Sequence, residues 1–234
     1  TMLASNELHH EYMVHTAEML LKLAEFIAEE LDITFEFINI GGGLGIPYLP
    51  EAEELQIETM GREITAAFQA FRQRNGYAPA LFMESGRYMT GPHGVLVVRA
   101  INRKEIYRTY VGVDACMNSL MRPALYGAYH HIEVLGKDLV GKIEVVDVVG
   151  SLCENNDKFA IQRELPVIED GDILLIHDTG AHGHAMGFNY NGTLRPQELL
   201  LRDDGAIDLI RRQEELADYF ATLNFTEDTL ILPR

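Results

Sequence analysis

Five stretches of this chain combine residue types that can do chemistry. Phe37-Ile38-Asn39-Ile40 runs into Gly41-Gly42-Gly43-Leu44-Gly45, an apolar run ending in four glycines within five positions. Such a loop brings bare backbone N–H groups up to an anion, a phosphate above all, although a tight strand-to-helix turn with no ligand fits the same residues. Glu84-Ser85-Gly86-Arg87 follows a second apolar run and delivers a carboxylate and a guanidinium, either to the same face or as a surface ion pair. Asp114 to His130 mixes Arg122, Tyr126 and apolar groups without an amphipathic stripe, which is costly unless the polar groups meet a ligand or one another. Cys153 stands beside Glu154, where the thiol is expected to stay protonated and to serve as a proton donor more than a nucleophile. His182 and His184 could suggest a metal, but no third ligand sits at zinc-like spacing, so no metal is expected. Cys116 reads as a small packed hydrophobe.

The elements that must carry these groups change character along the chain. Thr1 to Ala4 has strand character, and Ser5 or Asn6 can cap a long helix with the stripe Leu8, Tyr12, Met19, Leu23, Ile27 and Leu31. A strand over Phe35–Ile40 is followed by a helix near Ile57–Arg74, with Met60, Ile64, Ala67, Phe68 and Phe71 on one face and Gly76 as its stop. A further strand covers Ala80–Met83. This alternation predicts a parallel α/β unit, in an open sheet or part of a (β/α) barrel; three strands cannot close a barrel. Beyond about Gly91 the pattern turns to short β-branched runs at 95–98, 106–113, 132–135, 143–149 and 173–176, expected to form an antiparallel β domain. A closing helix is expected over about Asp208–Leu223. The predicted organisation is residues 1–92 as a partial barrel and 93–234 as the β domain.

Composition narrows the function classes. Among 234 residues, 19 Lys and Arg face 36 Asp and Glu, a net charge of −17, which repels nucleic acid and anionic membrane, so neither is expected as a partner. An anionic ligand must then be met by locally placed arginines. Two cysteines are too few for a disulfide framework, and no run reaches the roughly 20 apolar residues of a membrane span, so a soluble cytoplasmic protein is expected.

The order Gly-Gly-Gly-Leu-Gly, Glu-Ser-Gly-Arg, Asp-Ala-Cys-Met-Asn-Ser-Leu-Met-Arg-Pro-Ala-Leu-Tyr, Cys-Glu-Asn-Asn-Asp and Gly-Ala-His-Gly resembles the diaminopimelate decarboxylase family over essentially the whole chain. The resemblance implies an alanine racemase-like (β/α) barrel, here only its C-terminal part, followed by a β domain. It also implies pyridoxal 5'-phosphate as cofactor and decarboxylation of meso-diaminopimelate to L-lysine. By resemblance, Gly41, Gly42, Gly43 and Gly45 hold the cofactor phosphate through their amides. Glu84 keeps the pyridine nitrogen protonated so that the ring accepts the electrons left when CO2 departs. Ser85, Gly86, Arg87 and His182 complete the cofactor side. Arg87, Arg122, Tyr126 and Glu154 meet the far amino-carboxylate end of the substrate, and Cys153 reprotonates the α-carbon. The Cys-Glu loop would reach across a two-fold interface, giving a homodimer with shared sites.

Departures from the family pattern are Ser85 for Pro, Cys116 for Gly and His182 for a phosphate-contacting Tyr. No lysine of this sequence matches the family's cofactor-bonding lysine, which the resemblance places on a barrel strand before Thr1, so the chain alone is expected to be inactive. Two other readings share the motifs: a decarboxylase of another basic amino acid or polyamine precursor, and a non-catalytic interaction protein of the same fold.

Overall fold

The computed structural model describes residues 5–223, so the strand expected at Thr1–Ala4 lies outside the described residues. The chain divides into two compact units that interleave along the sequence: residues 1–97, 129–138 and 173–182 form one, and residues 98–128, 139–172 and 183–234 the other. The sequence pattern suggested one crossing near residue 92. Two segments instead return to the first unit, because Ile132–Val134 and Ile173–Ile176 pair with each other there.

In the first unit, α1 (His10–Leu31) and α2 (Ile57–Asn75) frame the two-stranded parallel pair β1 (Phe37–Asn39) and β2 (Ala80–Phe82), in register Ile38 to Leu81. The core is Met13, Ala17, Leu21 and Ala24 of α1 with Met60, Ile64 and Phe71 of α2 and Ile38 and Ile40 at the strand. The α2 face is the one its periodicity predicts, and Gly76 ends the helix at φ 75°. The face of α1 is not. Tyr12, Met19, Leu23 and Leu31 are exposed, and the buried line runs through Met13, Thr16, Ala17, Leu21 and Ala24. With apolar residues on more than one side, α1 offers two amphipathic solutions, and the small Ala17 and Ala24 allow the closer approach. Nor does Ser5 or Asn6 cap α1: His9 occupies that position without a side-chain bond, and the Asn6 side chain accepts the Ile46 N–H instead. Unit one also holds α3 (Gly86–Thr90) and the antiparallel pair β5 (Ile132–Val134) with β8 (Ile173–Ile176).

The second unit is built on β3 (Leu96–Glu105) from Val98 onward, β4 (Thr109–Val113), β6 (Ile143–Val149) and β7 (Lys158–Pro166). β3–β4 and β6–β7 are antiparallel, but β4 and β6 run parallel, a departure from the all-antiparallel expectation. The 29 residues from Asp114 to Lys142 are long enough for the crossover a parallel pair needs. In the tail, the helix expected over Asp208–Leu223 is replaced by β10 (Ile207–Arg211), paired with β9 (Glu198–Leu201), and only Leu216–Tyr219 is helical, as α5. Leu209 and Ile210 have helical spacing to Leu216, yet Gly205 at φ 85° makes a hairpin turn before them and the β ladder takes them.

Arg103 on β3 grips Glu144 on β6 with two bonds of 2.6 Å, and Glu144 also accepts the Ile168 N–H at 3.2 Å. The guanidinium holds the Glu144 carboxyl below its ordinary range. A carboxyl depressed on folding contributes stability that is complete above its unfolded value and lost as pH falls through the folded one. Glu144→Gln is therefore expected to lower stability near pH 7 by about 1.5–3 kcal/mol. Thermal melts of the two proteins should converge as the solution is acidified; a gap that stays constant down to acid pH would refute this account.

Candidate active site

The ends of β1 and β2 are fastened to one another through the glycine loop. Glu84 N–H donates to Gly41 O at 2.8 Å, Gly41 N–H donates to Asn39 Oδ1 at 2.8 Å, and Asn39 Nδ2 donates to Glu84 Oε1 at 2.7 Å. One oxygen of Glu84 is thereby fixed, and the side chain remains exposed. The loop needs its glycines for different reasons. Gly41 and Gly43 have φ of 75° and 100°, while a Cβ on Gly42 would lie 2.5 Å from Glu84 O and one on Gly45 2.7 Å from the Asn6 backbone.

The expected cradle of four amides narrows to two. Gly41 N–H is committed to Asn39, and Gly45 N–H donates to Glu7 O at 2.8 Å. The amides of Gly42 and Gly43 have no acceptor among the described residues. Ser85 Oγ and Arg87 Nε are likewise buried without a hydrogen-bond partner among the described residues. The rest of Arg87 is steadied by Ser5 Oγ at 3.2 Å and by the Tyr48 ring 5.9 Å away. Bare amides and orphaned buried donors are what a phosphate satisfies, so these residues fit a phosphorylated cofactor. Gly86 begins α3. His182, at φ 59°, ends a loop docked by Thr179 N–H on Gly94 O and Gly180 N–H on Gly91 O.

The second unit carries the other group. Arg122 is buried at the start of α4 (Arg122–Tyr126), where Pro123 preorganises the first turn, and Tyr126 is exposed at its end before Gly127. Cys153 is exposed and Glu154 half-buried on the loop between β6 and β7. Glu154 Oε1 accepts the Asn156 N–H at 3.1 Å, and Oε2 accepts the Tyr190 hydroxyl at 3.3 Å. Cys116 is buried, and that burial pushes its thiol up. His184 packs by Arg195 and Glu198, with burial lowering its imidazole pKa. His182 and His184 thus belong to different units despite their spacing.

The family model described as "Pyridoxal-dependent decarboxylase, C-terminal sheet domain" matches residues 14–180. The chain belongs to this decarboxylase family. Protein TabA of Pseudomonas amygdali pv. tabaci is 51% identical over 219 residues, covering 93% of this chain and 51% of the relative. Diaminopimelate decarboxylase of Methanothermobacter thermautotrophicus is 41% identical over 217 residues, covering 92% and 50%. Among solved structures, the diaminopimelate decarboxylase of M. jannaschii superposes with a TM-score of 0.89 at 33% identity over 98% of this chain and 52% of its own. The chain spans about half the length of the curated relatives it matches. Its fold is the C-terminal part of that decarboxylase architecture, a segment of (β/α) barrel with a β domain.

Three side chains that hold the candidate site residues carry no individual expectation from the sequence. Asn39 ends β1 and bonds both the glycine loop and Glu84; an amide at the last strand position before a glycine run, able to donate and accept at once, is a usable signal. Asp157 closes the Cys-Glu-Asn-Asn-Asp motif. Tyr190 meets Glu154 from 36 residues away, and no local pattern announces it.

Proposed function

We propose that this chain supplies the cofactor-phosphate loop and the proton-donor loop of a pyridoxal-phosphate-dependent decarboxylase that converts meso-diaminopimelate to L-lysine as a homodimer. The observation that carries the reading is Glu84 locked to the glycine loop through Asn39 and Gly41 beside the unsatisfied donors of Ser85 and Arg87. The M. jannaschii enzyme was solved with L-lysine, in support of the product.

When bound, pyridoxal phosphate supplies the electron sink for loss of CO2. The chain's residues do the rest. Gly42 and Gly43 amides, with Ser85, Arg87 and His182, hold the phosphate, and Glu84 keeps a ring nitrogen protonated. Arg122 and Arg87 take the distal carboxylate, Glu154 the distal ammonium with Tyr126 beside it, and Cys153 gives the proton to the α-carbon.

The substrate assignment is tested at its charged end. In the enzyme completed by the cofactor-bonding lysine, Glu154→Ala removes one charge-assisted hydrogen bond, about 1.5–3 kcal/mol or roughly ten- to a hundredfold in kcat/KM for meso-diaminopimelate. Arg122→Ala is expected to raise KM through the unpaired carboxylate. Parental efficiency in both variants would sink the assignment. A second reading, a decarboxylase of the same site with a different substrate, is favoured by the 51% identity to a protein of another name. A kcat/KM for L-lysine or L-ornithine above that for meso-diaminopimelate would select it.

A further inference from the structure

Asp157 is only 3% exposed, and its two carboxylate oxygens serve two different segments. Oδ1 accepts the Met117 N–H at 2.7 Å, and Oδ2 accepts the Leu152 N–H at 2.8 Å. Its backbone closes the same loop: Gly150 N–H donates to Asp157 O at 2.9 Å, and Asp157 N–H donates to Glu154 O at 3.2 Å. The carboxylate rests against the bare Cα of Gly150, where a Cβ would fall 2.2 Å from Oδ1 and 2.3 Å from Oδ2. Gly150 is thus required for space, since its φ is not positive. Burial raises the Asp157 carboxyl while the two N–H donors oppose that shift, so the group carries a desolvation cost that a merely packed loop would avoid.

The connection spreads from Met117. The next residue, buried Asn118, donates from Nδ2 to Tyr190 O at 2.8 Å, and the Tyr190 hydroxyl donates to Glu154 Oε2. Four residues beyond Asn118 the same segment enters α4 at Arg122. The Cys153–Glu154 loop is therefore referenced twice to one stretch of chain, once through Asp157 and once through Tyr190.

We propose that Asp157, seated on Gly150, is a positioning residue that sets Cys153 and Glu154 relative to the segment carrying Arg122. The proposal rests on the reading of Cys153 and Glu154 as substrate-facing groups. Asp157→Asn keeps the shape but turns an N–H2 toward one of the two amide donors, and Gly150→Ala displaces the carboxylate without altering it. Hydrogen exchange of the cofactor-loaded enzyme is expected to quicken roughly tenfold at the Met117 and Leu152 amides in both variants, with β4 amides essentially unchanged. In the cofactor-loaded enzyme both variants should lower kcat and raise KM for meso-diaminopimelate while leaving cofactor affinity as it was. Loss of stability alone would reduce the amount of active enzyme and leave KM in place. Retained protection at both amides in folded Asp157→Asn overturns the clamp; lost protection with parental kcat and KM overturns the positioning role. Should Asp157→Asn fail to fold, Gly150→Ala carries the same two readouts. Full activity of Cys153→Ala, with the exchange result intact, would place the failure in the functional reading instead.

Discussion

Cys153→Ala is expected to lower kcat by a factor on the order of 10²–10⁴ and to leave cofactor affinity unchanged. In the proposed reaction the α-carbon takes one proton once CO2 has left, and the Cys153 S–H is the donor assigned to that position. Of the two cysteines, only Cys153 is exposed; Cys116 is buried, so Cys116→Ala should cost some packing stability and little turnover. The residues proposed to hold the phosphate, Gly42, Gly43, Ser85 and Arg87, belong to the other compact unit, so cofactor affinity is expected not to move. If the loop serves the partner's site, mixing Cys153→Ala with a variant lacking the cofactor-bonding lysine should restore part of the activity through heterodimers with one intact site. No rescue despite demonstrated subunit exchange would mean that the site is built within one subunit.

Gly180→Ala should be strongly destabilising. Its Cβ would fall 1.9 Å from Thr90 O and 2.8 Å from Gly94 N, both backbone atoms that no rotamer change can move away. Relief requires breaking the Thr179–Gly94 and Gly180–Gly91 bonds that dock the loop, so a loss of about 3 kcal/mol or more is expected in denaturant unfolding. His182 rides on this loop, and phosphate affinity should fall with it. Gly61 gives the opposite sign. It lies within α2 with nothing near its would-be Cβ, and Gly61→Ala should stabilise by about 0.5–1 kcal/mol. Equal stability of the Gly180→Ala and parent proteins would show that the loop is not docked in solution as described.

The parts of the fold legible in the sequence are those where one local signal had no rival. The glycine loop, the α2 face and the β-branched runs of β6 and β8 stand where their residues put them. α1 misled because large apolar residues such as Tyr12, Met19 and Leu23 outweigh Ala17 and Ala24 in any hydrophobicity pattern, whereas close helix packing prefers the small ones. β7 is not legible because Lys158-Phe159-Ala160-Ile161-Gln162-Arg163-Glu164 alternates poorly, and its bulge at Gln162, φ 47°, breaks the period. The parallel β4–β6 pair depends on which strand lies beside which, information that no single window holds. At the site, residue types were readable from motifs; the donors already spent, Gly41 and Gly45, were not, because Asn39 and Glu7 claim them only once the chain has folded.

The interleaving of the two units bears on how the protein emerges from the ribosome. Residues 98–182 must be made after Val97 before the first unit has all its parts, since β5, β8 and the loop on Gly91 and Gly94 arrive late. At roughly 5–20 residues per second that is on the order of 4–17 seconds, during which Leu21, Ile40 and Phe71 can cluster but Thr90–Gly94 has no loop to receive. Neither unit can therefore finish in the simple N-to-C order open to domains strung end to end. The nascent chain spends that interval with unmatched strand edges, a stage at which a chaperone at the ribosome would have something to hold.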